Sequence, residues 1–179
     1  MRRIGIAVIG LTVCVCGSMA WAQMPMGAAP AAAAKPKAPL STSLSMTVTG
    51  KTMTFTVAQL ETMPQKTITV DNEHTKNKES YTGVPLETLL AQCGATYTPA
   101  TQKMFLHSTV RAIGTDQYFV IYSASEVESG LHAGDVIVAT KMNGGSLGDD
   151  GRIKLISTED KKPARWVRNL VSITVTEQQ

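Results

Sequence analysis

The sequence predicts one small, strand-rich α+β domain, and three observations carry that reading. Short stretches of alternating apolar and polar residues recur from Ser45 to Val175, separated by Gly, Asn and Asp turn signals. Only two or three short helical patterns stand between them, at irregular intervals, which excludes a regular βαβ array. No segment repeats at a fixed period, so solenoids and propellers are excluded too.

The domain opens on two strands. Ser45 to Thr49 alternates around Met46 and Val48, and Met53 to Val57 alternates around Met53, Phe55 and Val57. Gly50-Lys51 between them predicts a hairpin turn. Thr56 with Gln59 three residues on forms a capping box, so a short helix is expected over Ala58 to Met63, stopped by Pro64. Lys66 to Val70 (KTITV) reads as a strand, and Asp71 to Ser80 (DNEHTKNKES) as an exposed polar loop. Tyr81 to Leu86 re-enters the core. Pro85 suits a first helical turn, Leu86, Leu89 and Leu90 give the helix an apolar face, and Gly94 caps its end.

Met104 to Ile113 and Tyr118 to Tyr122 are expected as strands, with Gly114 to Gln117 as the turn between them. Ser123 with Glu126, or Ser125 with Glu128, caps another short helix that ends at Gly130. Val136 to Lys141 is an apolar strand leading to the turn Asn143-Gly144-Gly145. Ile153 to Ile156 and Trp166 to Val175 supply the last two strands.

Ahead of the domain the chain carries an export signature. Arg2 and Arg3 precede an uncharged apolar run from Ile4 to Val15, and Ala20-Trp21-Ala22 is a cleavage site of the A-x-A kind. That run is shorter than the roughly 20 residues of a membrane span, so residues 1–22 are read as a signal peptide and the protein as periplasmic or secreted. Arg2-Arg3 also fits a twin-arginine signal, leaving the export route open. Residues 23–44 are rich in Ala and Pro and are expected to be a disordered linker, with the folded domain at 45–177. Met24 and Met26 are too few soft donors to specify a copper(I) site.

Removal of the signal takes Cys14 and Cys16 with it and leaves Cys93 alone, so the domain holds together without an internal disulfide. The 139 residues from Ser41 onward suffice for one core. They carry 13 basic and 14 acidic residues, with no basic stripe interleaved with aromatics, which excludes nucleic acid as a partner. No other apolar run is long enough to span a membrane.

The chemistry-bearing residues are sparse. There is no GxSxG, HExxH, paired CxxC or phosphate loop. His74, His107 and His132 lack the spacing that sets two ligands on one helix face, so no metal site is expected. Cys93 closes the helix LLAQC, where the dipole disfavours a thiolate. Lys161, Lys162, Arg165 and Arg168 gather before the last strand and suit a phosphate or carboxylate, or else form a solvated turn balanced by Glu159 and Asp160. The backbone N–H groups of Asn143-Gly144-Gly145 suit an anion or a plain hairpin.

Taken in order, several landmarks resemble the sulfite-oxidase type of molybdopterin-binding domain. They are VTGKTMTFTVAQLETMP, YTGVPLETLLAQCGA, TDQYFVIYSASEV, VIVATKMNGGSL and the closing DGRIKLISTEDKKPARWVRNLVSITV, and together they cover nearly all of Ser45 to Val175. The resemblance implies a mixed α+β fold around a molybdopterin site. It implies that a cysteine thiolate in the loop after KTITV binds molybdenum, which acts on small oxyanions or sulfoxides. This chain has Asp71 to Tyr81 there, without a cysteine, and Cys93 falls in the next helix. The resemblance also implies a pocket formed by that loop, the Asn143 turn and the basic run, so Asn143, Lys161, Lys162, Arg165 and Trp166 are the candidate cofactor-binding residues. With the thiolate missing, the expectation is a non-catalytic exported module that binds a small anionic ligand or a periplasmic redox partner protein and carries no cofactor. The alternative is a molybdopterin-dependent oxidoreductase.

Overall fold

A computed structural model describes residues 38–73 and 75–178. The expected signal peptide, the spacer up to residue 37 and His74 lie outside the described residues. The described elements run β1 (Ser43–Val48), β2 (Lys51–Thr56), α1 (Val57–Thr62), β3 (Lys66–Asn72), β4 (Asn77–Pro85), α2 (Leu86–Gln92), α3 (Gln102–Leu106), β5 (Ser108–Gly114), β6 (Phe119–Ser123), β7 (Val136–Met142), β8 (Gly145–Ser146), β9 (Lys154–Ser157) and β10 (Leu170–Glu177). The strands form two sheets. The first has the order β2-β1-β10-β5-β6. In the second, β3, β4 and β7 lie side by side, and the far edge of β7 is shared by β8 and β9.

Period-two alternation decides which faces are buried. In the first sheet β1 turns Leu44, Met46 and Val48 inward, and β10 does the same with Ile173 and Val175, paired in parallel through Met46 and Ile173. These residues meet Leu86, Leu89 and Leu90 of α2, Phe105 of α3 and one face of the second sheet, in the main core. Strand β7 is apolar from Val136 to Ala139 because it is buried on both sides there. Val136 and Val138 face that main core, and Ile137 and Ala139 face a second cluster with Ile68, Tyr81, Leu147, Ile156 and Trp166.

Local signals explain the ends of several elements. The capping box forms: the Gln59 amide donates to Thr56 Oγ1 at 3.2 Å, and the Thr56 amide donates to Gln59 Oε1 at 2.8 Å. Both tight hairpins use a pair of residues with positive φ, the twist that suits two-residue connections. They are Thr49 and Gly50 (47° and 81°) and Asn143 and Gly144 (51° and 78°). The first turn therefore sits one residue earlier than Gly50-Lys51. Ser123 with Glu126, not Ser125 with Glu128, makes the second capping box, and the helical turn it starts is a 3₁₀ turn ending at Val127, ahead of Gly130.

Three expectations are corrected. Asp71 to Ser80 is mostly hairpin rather than loop, since β3 continues to Asn72 and β4 starts at Asn77. Its polar side chains mislead because backbone pairing asks nothing of the solvated face, where Lys78 pairs with Asp71 at 2.9 Å. Met104 to Leu106 is not strand but the end of α3. Thr98 and Thr101 bond each other's amides at 2.8 and 3.2 Å and start a turn, and Phe105 then seats its ring 5.7 Å from that of Tyr97. A single helical turn is too short to show a period. The last strand begins at Leu170, not Trp166. Pro163 to Arg165 form a 3₁₀ turn, and Asn169 sits at positive φ (48°) before the strand.

Candidate functional site

Beside the second cluster lies a cavity of about 590 Å³. It is built from residues of the β3–β4 hairpin, the end of β7, the stretch from Leu147 to Lys154, the β5–β6 turn and the turn before β10. Alternation places the key side chains. Glu79 and Tyr81, two apart on β4, share the face that Val70 of β3 also uses, and Lys154 and Ile156 of β9 share the same side of the sheet. Strands β4 and β9 flank β7, with Gly83 and Lys154 both paired to Ala139, so a lysine from one side meets a tyrosine from the other across the small Ala139.

A chain of charge-assisted hydrogen bonds results. The buried Lys154 ammonium donates to Asp150 Oδ2 at 2.6 Å and to the Tyr81 hydroxyl at 2.9 Å. It also lies 4.6 Å from the Tyr81 ring centre and 5.0 Å from that of Trp166. Tyr81 in turn donates to Glu79 Oε2 at 2.7 Å. Asn72 Nδ2 donates to the same oxygen at 2.9 Å, and Thr75 Oγ1 to Glu79 Oε1 at 2.8 Å. Trp166 is held edge-on to Tyr81 and anchored by its indole N–H, which donates to the Ser157 carbonyl at 3.0 Å.

Burial pushes the Glu79 carboxyl up, but the three hydrogen bonds and the Lys154 charge outweigh it and hold the group below its usual value. Burial and the Glu79 charge push the Tyr81 phenol far up, so it stays protonated as a donor. The network thus braces the hairpin against β9, with the Glu79 carboxylate as acceptor and the Tyr81 phenol as donor. Because Glu79 titrates lower in the folded than in the unfolded state, its stabilisation is present above the ordinary carboxylate range and is lost as pH falls through the folded value. Glu79→Gln is therefore expected to lower stability at neutral pH by about 1–2 kcal/mol and to flatten the acid limb of a plot of melting temperature against pH.

Of the five candidate cofactor-binding residues, the structure brings only Trp166 to this cavity. Asn143 is exposed in the β7–β8 turn, where its Oδ1 accepts from the Ser80 amide at 2.9 Å and its own amide donates to the Ser80 carbonyl at 2.7 Å. Lys161 and Lys162 are exposed, outside the cavity lining. Arg165 points elsewhere, to Asp160 Oδ1 at 2.6 Å, to Glu126 at 3.0 Å and over the Tyr122 ring at 4.5 Å. Arg168, the fourth member of the basic run, does line the cavity and pairs with Asp150 at 3.7 Å. Sequence reasoning missed Glu79, Tyr81, Asp150 and Lys154 as a set. The available signal was Lys154 itself, a lysine inside the apolar strand IKLI.

The lining has a definite charge and, among the described residues, no thiol. Among the described residues the cavity is lined by four carboxylates, Glu79, Asp116, Asp149 and Asp150, against two cations, Lys154 and Arg168. Cys93, the one described cysteine, is buried in the main core, where desolvation raises its thiol pKa. No group of three or more described His, Cys, Asp or Glu side chains is placed to hold a metal ion. No described helix is long and apolar enough to cross a membrane.

Comparison with known proteins agrees with the fold. Residues 36–179 match the profile of the family described as the oxidoreductase molybdopterin binding domain. Among solved structures, the chain is similar to the sulfane dehydrogenase SoxCD from Paracoccus pantotrophus, at 18% identity and a TM-score of 0.59. The likeness covers 76% of this chain and 38% of that one. At this identity it is a likeness of fold, the expected sulfite-oxidase-like α+β architecture. No curated protein matches the chain by sequence.

The side chains present do not fit the family's metal group. The hairpin after β3, to which the resemblance assigns the thiolate, sends Asn72, Thr75 and Glu79 to the cavity, hard donors already bonded to one another. A phosphorylated pterin would bring further negative charge to a lining with an excess of carboxylates.

Proposed function

The chain belongs to the oxidoreductase molybdopterin binding domain family, and from that premise we propose that it is an exported, non-catalytic module that binds a ligand on the family scaffold. The observation that carries the reading is the β3–β4 hairpin. It turns Asn72, Thr75 and Glu79 to the cleft, with no thiolate among the described residues, and it locks them in a network in which Glu79 accepts from Asn72, Thr75 and Tyr81. Export rests on the charged start, apolar run and A-x-A site of residues 1–22.

The cleft's chemistry narrows the ligand. Trp166, Met142 and Leu147 give the cleft its apolar part, and the excess of carboxylates favours a neutral or cationic ligand over the anionic one that the basic run suggests. As a protein partner we propose a periplasmic redox protein. The family match is equally the ground for the competing reading, a molybdopterin-dependent oxidoreductase.

A turnover assay tests the proposal. Protein purified from a host that makes the cofactor is mixed with a reduced viologen dye and a sulfoxide or small oxyanion. The module reading expects dye oxidation at the background rate. Sustained oxidation proportional to protein concentration overturns it in favour of the oxidoreductase.

A further inference from the structure

Away from the cleft, the first sheet ends in an edge that lacks the usual protection. Strand β6 (FVIYS) closes the sheet, and no described strand pairs with its outer side. Sheet edges are normally guarded by charge, proline or bulges. Two other outer strands follow that rule, β2 with Lys51 and β3 with Lys66 and Asp71. Strand β6 carries no charge, no proline and no glycine. Its outward side chains Phe119 and Ile121 are 48% and 53% exposed, and Leu106, at the end of α3 nearby, is 53% exposed.

We propose that β6 is the interface for a second copy of this chain, paired antiparallel about Ile121. Antiparallel self-pairing on that residue sets Ile121 against its own copy, Val120 against Tyr122, and Phe119 against Ser123. Directly opposed side chains lie on the same face of a sheet. Each exposed Phe119 is thereby delivered to the Ser123 end of the other copy. A groove of about 470 Å³ lies there, lined by Leu106, Thr109, Ile121 and Ser123 among others, with room for a phenyl ring. The strand supplies both the knob and the hole, related by the two-fold axis that an isologous contact requires.

Charge agrees with self-pairing. A charged residue on β6 would meet its own copy across the axis, and there is none. The nearest charges are Glu126, which accepts from the Ser123 amide at 2.8 Å and pairs with Arg165 at 3.0 Å, and Arg111 on β5, occupied over the Phe119 ring at 4.4 Å. In the joined sheet the two Arg111 strands stand three strand spacings apart, about 14 Å, beyond a Debye length at physiological salt.

The test is sedimentation and cross-linking of the purified protein. The expectation is a concentration-dependent dimer whose dissociation constant rises by about tenfold or more in Ile121→Lys, with an unchanged melting temperature at concentrations where both proteins are monomeric, because the side chain is exposed in the monomer. The register has its own readout. Opposed antiparallel residues have Cα atoms about 4.5–5.5 Å apart, within disulfide reach, so Ile121→Cys should cross-link to its copy on mild oxidation. Phe119→Cys should do so only when Ser123→Cys is also present. A monomer at all concentrations, or a dimer unaffected by Ile121→Lys, overturns the proposal. A dimer that Ile121→Lys disrupts, but in which Phe119→Cys cross-links to itself, overturns the register.

Discussion

Replacing Lys154 by Met will destabilise the domain by about 3 kcal/mol or more, the range seen when one partner of a buried ion pair is removed. The side chain is only 4% exposed, and its ammonium holds three elements at once: Asp150 at 2.6 Å, the Tyr81 hydroxyl at 2.9 Å and, through Tyr81, the Glu79 carboxylate. Methionine fills much of the same volume, so packing changes little. What remains in one wall is Glu79 without its nearby cation and Asp150 with only the exposed Arg168, 3.7 Å away. The loss should therefore shrink in acid, where protonation relieves the uncompensated charge. Denaturant titrations at neutral and acid pH check both points. An equal loss at both would assign the effect to packing and remove the electrostatic account of this wall.

Gly83→Ala is the second large effect, and it acts through the backbone. A Cβ at Gly83 would lie 2.2 Å from the Val138 carbonyl oxygen and 2.4 Å from Ala139 Cα. Both are backbone atoms of β7, so no rotamer change can relieve the clash. The position coincides with the register shift between Thr82 and Gly83, where β4 bends over β7. One methyl group must drive the two central strands of the second sheet apart. The expected loss is at least about 3 kcal/mol, or roughly 10 °C in melting temperature for a domain of this size. Gly144→Ala is the control. Its φ of 78° is strained for alanine, but nothing lies within 4 Å, so the cost should stay near 1 kcal/mol. Comparable losses in the two variants would contradict the close approach of β4 to β7.

Much of the fold was legible in the sequence because alternation and caps are local. The strands around Met46, Phe55 and Ile173, the Thr56–Gln59 box and the Asn143-Gly144 turn each carry their signal within a few residues. The β3–β4 hairpin hid because its solvated face is polar, and only the step from Glu79 to Tyr81 betrays an inward face. Helix α3 hid because one turn around Phe105 has no period. The site was less legible for a different reason. Trp166 and Arg168 stand in a visible basic run, but Lys154 meets Tyr81 only because β4 and β9 lie on opposite sides of β7. Lys154 stood out only as a lysine inside apolar IKLI, and nothing local shows that Arg165, in the basic run, turns away from the cavity to Asp160 and Glu126.

The measurement that bears most directly on the function is metal and pterin content. Protein purified from a host that makes the molybdenum cofactor would be analysed by elemental mass spectrometry, with pterin fluorescence on the same sample. A cleft that presents Asn72, Thr75 and Glu79 instead of a thiolate predicts folded protein with neither molybdenum nor pterin. Near-stoichiometric amounts of both would contradict the binding-module account and require a molybdenum ligand other than cysteine in that wall.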